Sequence, residues 1–175
     1  MRSQDKKMFP ELQIKDRIIE GLRMFEPSCY HDFRGYYWTV YNKNDLKNIS
    51  FNHDKVTVSK KDVLRGIHGD FSTSKMISCL YGDVYCVVVD KRKRSSTYNT
   101  WFWTMLTHTN RKCVLIPPGV GLAYYVTSPE ATVLYKLSYE EKYNDVKDQF
   151  TFKWDDPCLS ISWPTNTPVL QKRDT

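Results

Sequence analysis

Long apolar runs are missing from this chain of 175 residues. No stretch approaches the ~18 uninterrupted apolar residues that a membrane helix needs, and Met1-Arg2-Ser3-Gln4-Asp5-Lys6-Lys7 leads into no apolar leader segment. Paired cysteines are missing too. The five, Cys29, Cys79, Cys86, Cys113 and Cys158, are odd in number, form no C-x-x-C pair and lie mostly inside apolar runs, so they read as buried thiols in a reducing, cytoplasmic setting. Internal repeats, low-complexity tracts and Gly/Ser linkers are absent, which leaves a single domain over residues 1–175, with polar residues 1–9 expected to fray. Histidine is scarce, at positions 31, 53, 68 and 108 only.

What is present is aromatic. Hydrophobic residues make up 41% of the chain and aromatic ones 14%, with twelve tyrosines and five tryptophans, which predicts a compact fold rich in sheet. The net charge of +6 suits an anionic partner. The densest basic run, Lys91-Arg92-Lys93-Arg94, follows an apolar strand and precedes Ser95-Ser96-Thr97. It reads as a solvated turn rather than a nucleic-acid or membrane contact.

Short runs rich in Val, Ile, Tyr, Trp and Phe alternate with Gly, Pro, Asn and Asp turns, the pattern of an all-β sandwich or barrel. The clearest unit is a hairpin of strands 76–80 and 84–89 around Tyr81-Gly82-Asp83. Further strands are expected at 35–41, 49–52, 100–106, 112–116, 121–126 and 131–139. Helix is scarce. Residues 14–25 have an apolar period, but Gly21 interrupts it and Pro27 follows, so the stretch reads as strand and turn.

Among the histidines, His31, His53 and His108 taken singly read as surface or packing residues. His68 stands between two glycines in Arg65-Gly66-Ile67-His68-Gly69-Asp70, which permits close approach of backbone or ligand. Strict alternation would put His68 and Gly66 on one face and Arg65 on the other. A satisfied core histidine fits those neighbours as well as a functional one does.

Several ordered motifs carry a family resemblance. They are Asp32-Phe33-Arg34-Gly35-Tyr36-Tyr37, Arg65-Gly66-Ile67-His68, the run 75–84, Val89-Asp90-Lys91-Arg92, Ile116-Pro117-Pro118-Gly119, Leu134-Tyr135-Lys136, Trp154-Asp155-Asp156-Pro157, Ile161-Ser162-Trp163-Pro164 and Lys172-Arg173-Asp174. From about Glu26 to Asp174 the sequence resembles the dTDP-4-dehydrorhamnose 3,5-epimerase family. The resemblance implies a cupin-type antiparallel β-barrel, or jelly roll, with few short helices, pairing as a homodimer. Three stretches, 65–70, 148–152 and 163–168, are similar to a narrower branch acting on GDP-linked 4-keto-heptoses in capsule synthesis.

The implied reaction is inversion at C-3, C-5 or both of a nucleotide-linked 4-keto-6-deoxy sugar, GDP-heptose before dTDP-hexose, within surface-polysaccharide synthesis. A hydrogen beside a ketone is acidic because the carbanion delocalises onto oxygen, so a base, an opposed acid and a nearby cation suffice without a cofactor. By the resemblance, His68 is the base, held in its tautomer by Asp174, and Tyr135 is the acid. Lys75 neutralises the enolate. Arg65 and Arg34 grip the diphosphate, with Arg173 in place of a family lysine, and His53 and Lys55 stand where the family contacts the nucleotide.

Two positions depart from the family: Leu122 replaces a second active-site histidine, and Thr39 replaces a glutamate. The segment His53-Asp54-Lys55 also replaces a Gln-Asp-Asn, so grip on the substrate differs. Metal-dependent cupins need about three or four clustered ligands. Here His68-Gly69-Asp70 offers one histidine where they have two, and no metal is expected. The alternatives are a barrel that binds a sugar nucleotide or protein partner without turnover, and a 3,4-ketoisomerase using the same acidic hydrogens.

Overall fold

A computed structural model describes residues 11–12 and 18–175. The expected fraying of residues 1–9 lies outside them, as does part of the 14–25 stretch. In chain order the strands are β1 (Glu11–Leu12), β2 (Arg23–Phe25), β3 (Cys29–Asp32), β4 (Gly35–Trp38), β5 (His53–Lys60), β6 (Leu64–Gly69), β7 (Ser74–Tyr81), β8 (Asp83–Asp90), β9 (Trp101–Thr107), β10 (Cys113–Ile116), β11 (Val120–Val126), β12 (Glu130–Ser138) and β13 (Phe150–Thr151). The one helical element among the described residues is a 3-10 turn, Val146–Asp148, whose first N–H donates to the Asp145 side chain.

The strands form a six-stranded sheet, β1-β2-β10-β7-β12-β5, facing a five-stranded sheet, β13-β6-β11-β8-β9. All ladders between named strands are antiparallel, as a cupin-type jelly roll requires. Strand β8 explains the layering. Val84, Cys86 and Val88 point between the sheets, where they meet Ile77, Cys79 and Val133 of the first sheet. Tyr85, Val87 and Val89 point the other way, onto a second core closed by Trp154, Leu159, Ile161 and Trp163 of the C-terminal segment. Burial on both faces makes β8 an uninterrupted apolar run.

That C-terminal segment is fastened to the outer face of the second sheet. Ile67 and Phe152 exchange backbone hydrogen bonds, Leu64 N donates to Val169 O at 3.0 Å and Tyr85 Oη donates to Ser162 O at 2.9 Å. A third core, Phe25, Leu46, Met76, Cys113 and Leu115, lies under residues 40–51 on the outer face of the first sheet.

Several expectations need correction. Residues 49–52 form no strand; the strand begins at His53, and its polar, exposed edge hid it. The predicted strand 35–41 ends at Trp38. Cys79, Cys86 and Cys113 are buried, but Cys158 is exposed and Cys29 only partly covered. The basic run 91–94 is a turn, anchored by the wholly buried Asp90, which accepts from Arg92 Nε at 2.9 Å and from Thr97 Oγ1 at 2.7 Å. No helix among the described residues is long and apolar enough to cross a membrane.

Candidate active site

Strand β6 carries His68 because of an irregularity. Leu122 of β11 pairs with His68 and Tyr124 with Arg65, so two steps along β11 oppose three along β6. The extra residue reverses the alternation, and Arg65 and His68 line one cavity instead of opposite faces. Gly66 makes the close approach possible: at φ +126°, an added Cβ would fall 2.5 Å from Ala123 Cα and 2.6 Å from Leu122 O.

The cavity, about 180 Å³, lies between the two sheets. Arg65, His68 and Leu122 line it from the second sheet, and Lys55, Thr57, Lys75, Tyr135 and Leu137 from the first. Gln171 and Arg173 of the C-terminal segment, with Tyr143, Asp145, Val146 and Gln149, close its rim. Among the described residues four cations stand against one carboxylate in the lining, a positive balance that favours an anionic ligand.

His68 Nε2 donates to Asp174 Oδ1 at 2.6 Å, and Asp174 is 1% exposed. Asp174 is therefore no loose tail charge. The C-terminal strap delivers it, and the bond sets the imidazole tautomer so that Nδ1, which has no hydrogen-bond partner among the described residues, can accept a proton. Across the cavity, burial first and the neighbouring Tyr124 second hold the Tyr135 phenol well above its usual range, while Arg65 pulls the other way.

Lys75 is 6% exposed, with Nζ 3.5 Å from Asp70 Oδ2. Burial lowers its pKa, Asp70 opposes that, and Arg173 and Lys55 add to it. Asp70 is itself fixed by Ser72 and Thr73, whose backbone N–H groups donate to its Oδ1 at 3.0 and 2.7 Å. Arg173 reaches Gln149 Oε1 at 2.9 Å, and Lys55 Nζ donates to Tyr143 Oη at 3.1 Å while standing 4.5 Å from the centre of that ring. His53 is one layer back, edge-on to Tyr143 with ring centres 5.1 Å apart.

Of the nine predicted site residues, His68, Tyr135, Lys75, Arg65, Lys55 and Arg173 meet at the cavity, Asp174 supports His68, and His53 touches it through Tyr143. Arg34 does not reach it. It sits at the tip of the β3–β4 hairpin, 73% exposed and paired with Asp32. Thr39 lies just past that hairpin, away from the cavity lining. Thr57, Tyr143, Gln149 and Gln171 escaped the sequence reading. The sequence held no signal for Thr57, because Val56 and Val58 face solvent and apolar alternation would have turned Thr57 outward. Among the described residues, no three His, Cys, Asp or Glu side chains group as metal ligands.

Set beside known proteins, residues 16–175 match the family model described as dTDP-4-dehydrorhamnose 3,5-epimerase. The chain is 31% identical over 169 residues to the dTDP-4-dehydrorhamnose 3,5-epimerase of Shigella flexneri, covering 92% of this chain and 91% of that protein. It is 32% identical over 171 residues to the dTDP-4-dehydrorhamnose 3-epimerase of Streptomyces niveus, covering 93% and 81%. The crystal structure of the 3,5-epimerase from Bacillus anthracis, with TDP and PPi bound, matches with a TM-score of 0.87 at 28% identity, over 95% of this chain and 96% of that one. Fold and relatives together define an isomerase of sugar nucleotides on a cupin-type barrel. More narrowly, the chain belongs to the dTDP-4-dehydrorhamnose 3,5-epimerase family.

Proposed function

We propose that this protein inverts C-3, C-5 or both of a nucleotide-diphosphate-linked 4-keto-6-deoxy sugar, with no cofactor, for surface-polysaccharide synthesis. One observation carries the reading: His68, backed by Asp174, and Tyr135 reach the same cavity from opposing sheets. A sugar ring between them presents one face to a base and the other to an acid. His68 Nδ1 takes the proton beside the ketone, Lys75 neutralises the enolate oxygen, and Tyr135 returns a proton from the far side. Arg65, Arg173 and Lys55 hold the diphosphate, and His53 steadies Tyr143 at the nucleotide end.

The relatives described above are named for dTDP-linked sugars, so a dTDP-linked 4-keto-6-deoxy hexose is the first substrate to test. The expected preference for a GDP-linked heptose gains no support from them. It stands as the second reading because of the local departures at His53, Lys55 and Leu122. Leu122 puts an apolar wall directly opposite His68, where an imidazole would offer a hydrogen bond. The 3-epimerase among the relatives keeps inversion at a single centre open.

Arg34 joins the scheme if two copies pair. Among the described residues its hairpin pairs only within itself, and it presents Phe33, 97% exposed, with Tyr36 and Tyr37. A homodimer that covers these rings is consistent with that apolar surface, and sedimentation of the wild type and of Phe33→Glu tests it.

The reaction is tested with a panel of dTDP- and GDP-linked 4-keto-6-deoxy sugars in heavy water, read by mass spectrometry. One deuterium per product marks one centre, two mark both. His68→Asn is expected to abolish exchange, and Tyr135→Phe to keep exchange while losing inversion by about 10²- to 10⁴-fold. A wild type that leaves every substrate mass unchanged would indicate a binding barrel, and a carbonyl moved to C-3 would indicate a ketoisomerase.

A further inference from the structure

Asp70 stands in the connection between β6 and β7, shortly after the base His68 and before Lys75, and the scheme above gives it no part. Its carboxylate is held in one orientation. Oδ1 accepts from the backbone N–H groups of Ser72 and Thr73 at 3.0 and 2.7 Å, from Ser72 Oγ at 3.2 Å and from Asn144 Nδ2 at 3.3 Å. The backbone oxygen of Asp70 accepts from Gly119 N at 2.7 Å, which ties the connection to the start of β11. Oδ2 is left for another purpose. It is buried, has no hydrogen-bond partner among the described residues, and lies 3.5 Å from Lys75 Nζ as an ion pair whose two side chains are both shielded from solvent.

The rest of the surroundings work to discharge the lysine. Burial disfavours its ammonium most, and Arg173 of the C-terminal segment and Lys55 of β5 add to that, whereas Asp70 opposes it. The other titratable groups on the cavity are Arg65 and His68 of β6, Tyr135 of β12 and, at the rim, Tyr143 and Asp145. Asp145 is occupied, since its side chain accepts from Val146 N at 2.8 Å. A lysine that had lost its proton would bring no charge to the enolate oxygen. We propose that Asp70 is a positioning residue for the epimerisation, the fixed counter-ion that keeps Lys75 an ammonium and holds it beside the ketone oxygen. The inference rests on the role proposed above for Lys75. An ammonium has three N–H donors, so the side turned to Asp70 leaves others for the substrate.

Two measurements keep the counter-ion and the reaction it serves apart. The first needs no substrate. The Lys75 ammonium is followed by NMR in protein labelled at lysine Nζ with the heavy nitrogen isotope, its signal identified by its loss in Lys75→Met. Lys75 is expected to be charged at neutral pH in the wild type, and its midpoint to fall by at least about one pH unit in Asp70→Asn. The second is the rate at which solvent deuterium enters whichever sugar nucleotide of the panel the wild type inverts, taken across pH. Activity needs the charged lysine, so the rate falls as pH rises through the lysine midpoint. Asp70→Asn should move that alkaline limb down by the same interval, with a loss of about tenfold or more above it that shrinks as pH falls. In a Lys75→Met background, Asp70→Asn should cost less than about twofold.

A neutral Lys75 in the wild type at neutral pH, or a midpoint unmoved in Asp70→Asn, overturns the counter-ion. A shifted midpoint with an unchanged pH profile overturns the positioning role and leaves the reaction standing. A rate lowered equally at every pH, or the full loss repeated in the Lys75→Met background, marks a packing effect and overturns it too. A wild type that exchanges no deuterium into any substrate overturns the proposed function, and the positioning role with it, while the NMR midpoint still reads the ion pair. If Asp70→Asn folds poorly, Asp70→Ser, which keeps an oxygen for the Ser72 and Thr73 N–H groups, decides by the same readouts.

Discussion

Replacing Asp174 by asparagine isolates the tautomer-setting contact from everything else in the cavity. The carboxylate is 1% exposed and accepts from His68 Nε2 at 2.6 Å, so it acts where solvent screens little. Hydrogen bonds to charged groups contribute about 1.5–3 kcal/mol, and losing one at the imidazolium-forming step slows proton abstraction by about 10- to 150-fold. Asparagine can also turn its NH2 toward Nε2, which leaves the ring proton on Nδ1, the nitrogen that must accept. The assay is the initial rate at which solvent deuterium enters the substrate beside its ketone.

Stability should not fall in parallel. Asp174 Oδ2 is buried with no hydrogen-bond partner among the described residues, so neutralising the carboxylate removes a desolvation cost while weakening one bond. The melting midpoint is expected to stay within about 4 °C of wild type, the shift that roughly 1 kcal/mol produces in a chain of this size. Exchange within about twofold of wild type, in a variant of unchanged midpoint, would refute the role assigned to Asp174.

Burial alone would raise the pKa of Asp90, but hydrogen bonds from Arg92, Ser95 and Thr97 outweigh it and hold that carboxyl far below its usual range. A depressed carboxyl contributes its full stability above the unfolded value near ~4 and loses it as pH falls through the folded value, so wild-type stability should decline below about pH 4. Asp90→Asn breaks the buried pair with Arg92 and should cost about 3 kcal/mol at pH 7, with a narrower gap to wild type at pH 3. Urea titrations at both pH values check this, and an equal gap at each contradicts it. Gly66→Ala should cost at least about 3 kcal/mol, since φ is +126° and the new Cβ meets the Ala123 and Leu122 backbone. A urea midpoint matching wild type would mean that β6 and β11 can part at no cost.

Local sequence determined the elements whose cause is local. The hairpin β7–β8 was legible because its apolar runs flank Gly82, which takes φ +72° at the turn. Strands β9 to β12 fell within a residue or so of their expected bounds, because turn residues delimit apolar stretches there. Strand β5 was missed since it is an exposed edge, and only its pairing with β12 defines it.

The ordered motifs gave the family and about half of the residues that line the cavity, because proton-transfer chemistry of this kind restricts residue type. Tertiary structure alone decided which way those residues face and what stands beside them. A register slip between Leu122 and Tyr124 turned Arg65 to the side of His68, reversing what strict alternation predicts. Packing of Trp154, Leu159 and Trp163 on the second sheet brought Asp174 to a histidine distant in the chain. Neither effect has a local signature, because both arise from the fit of one strand or segment against another.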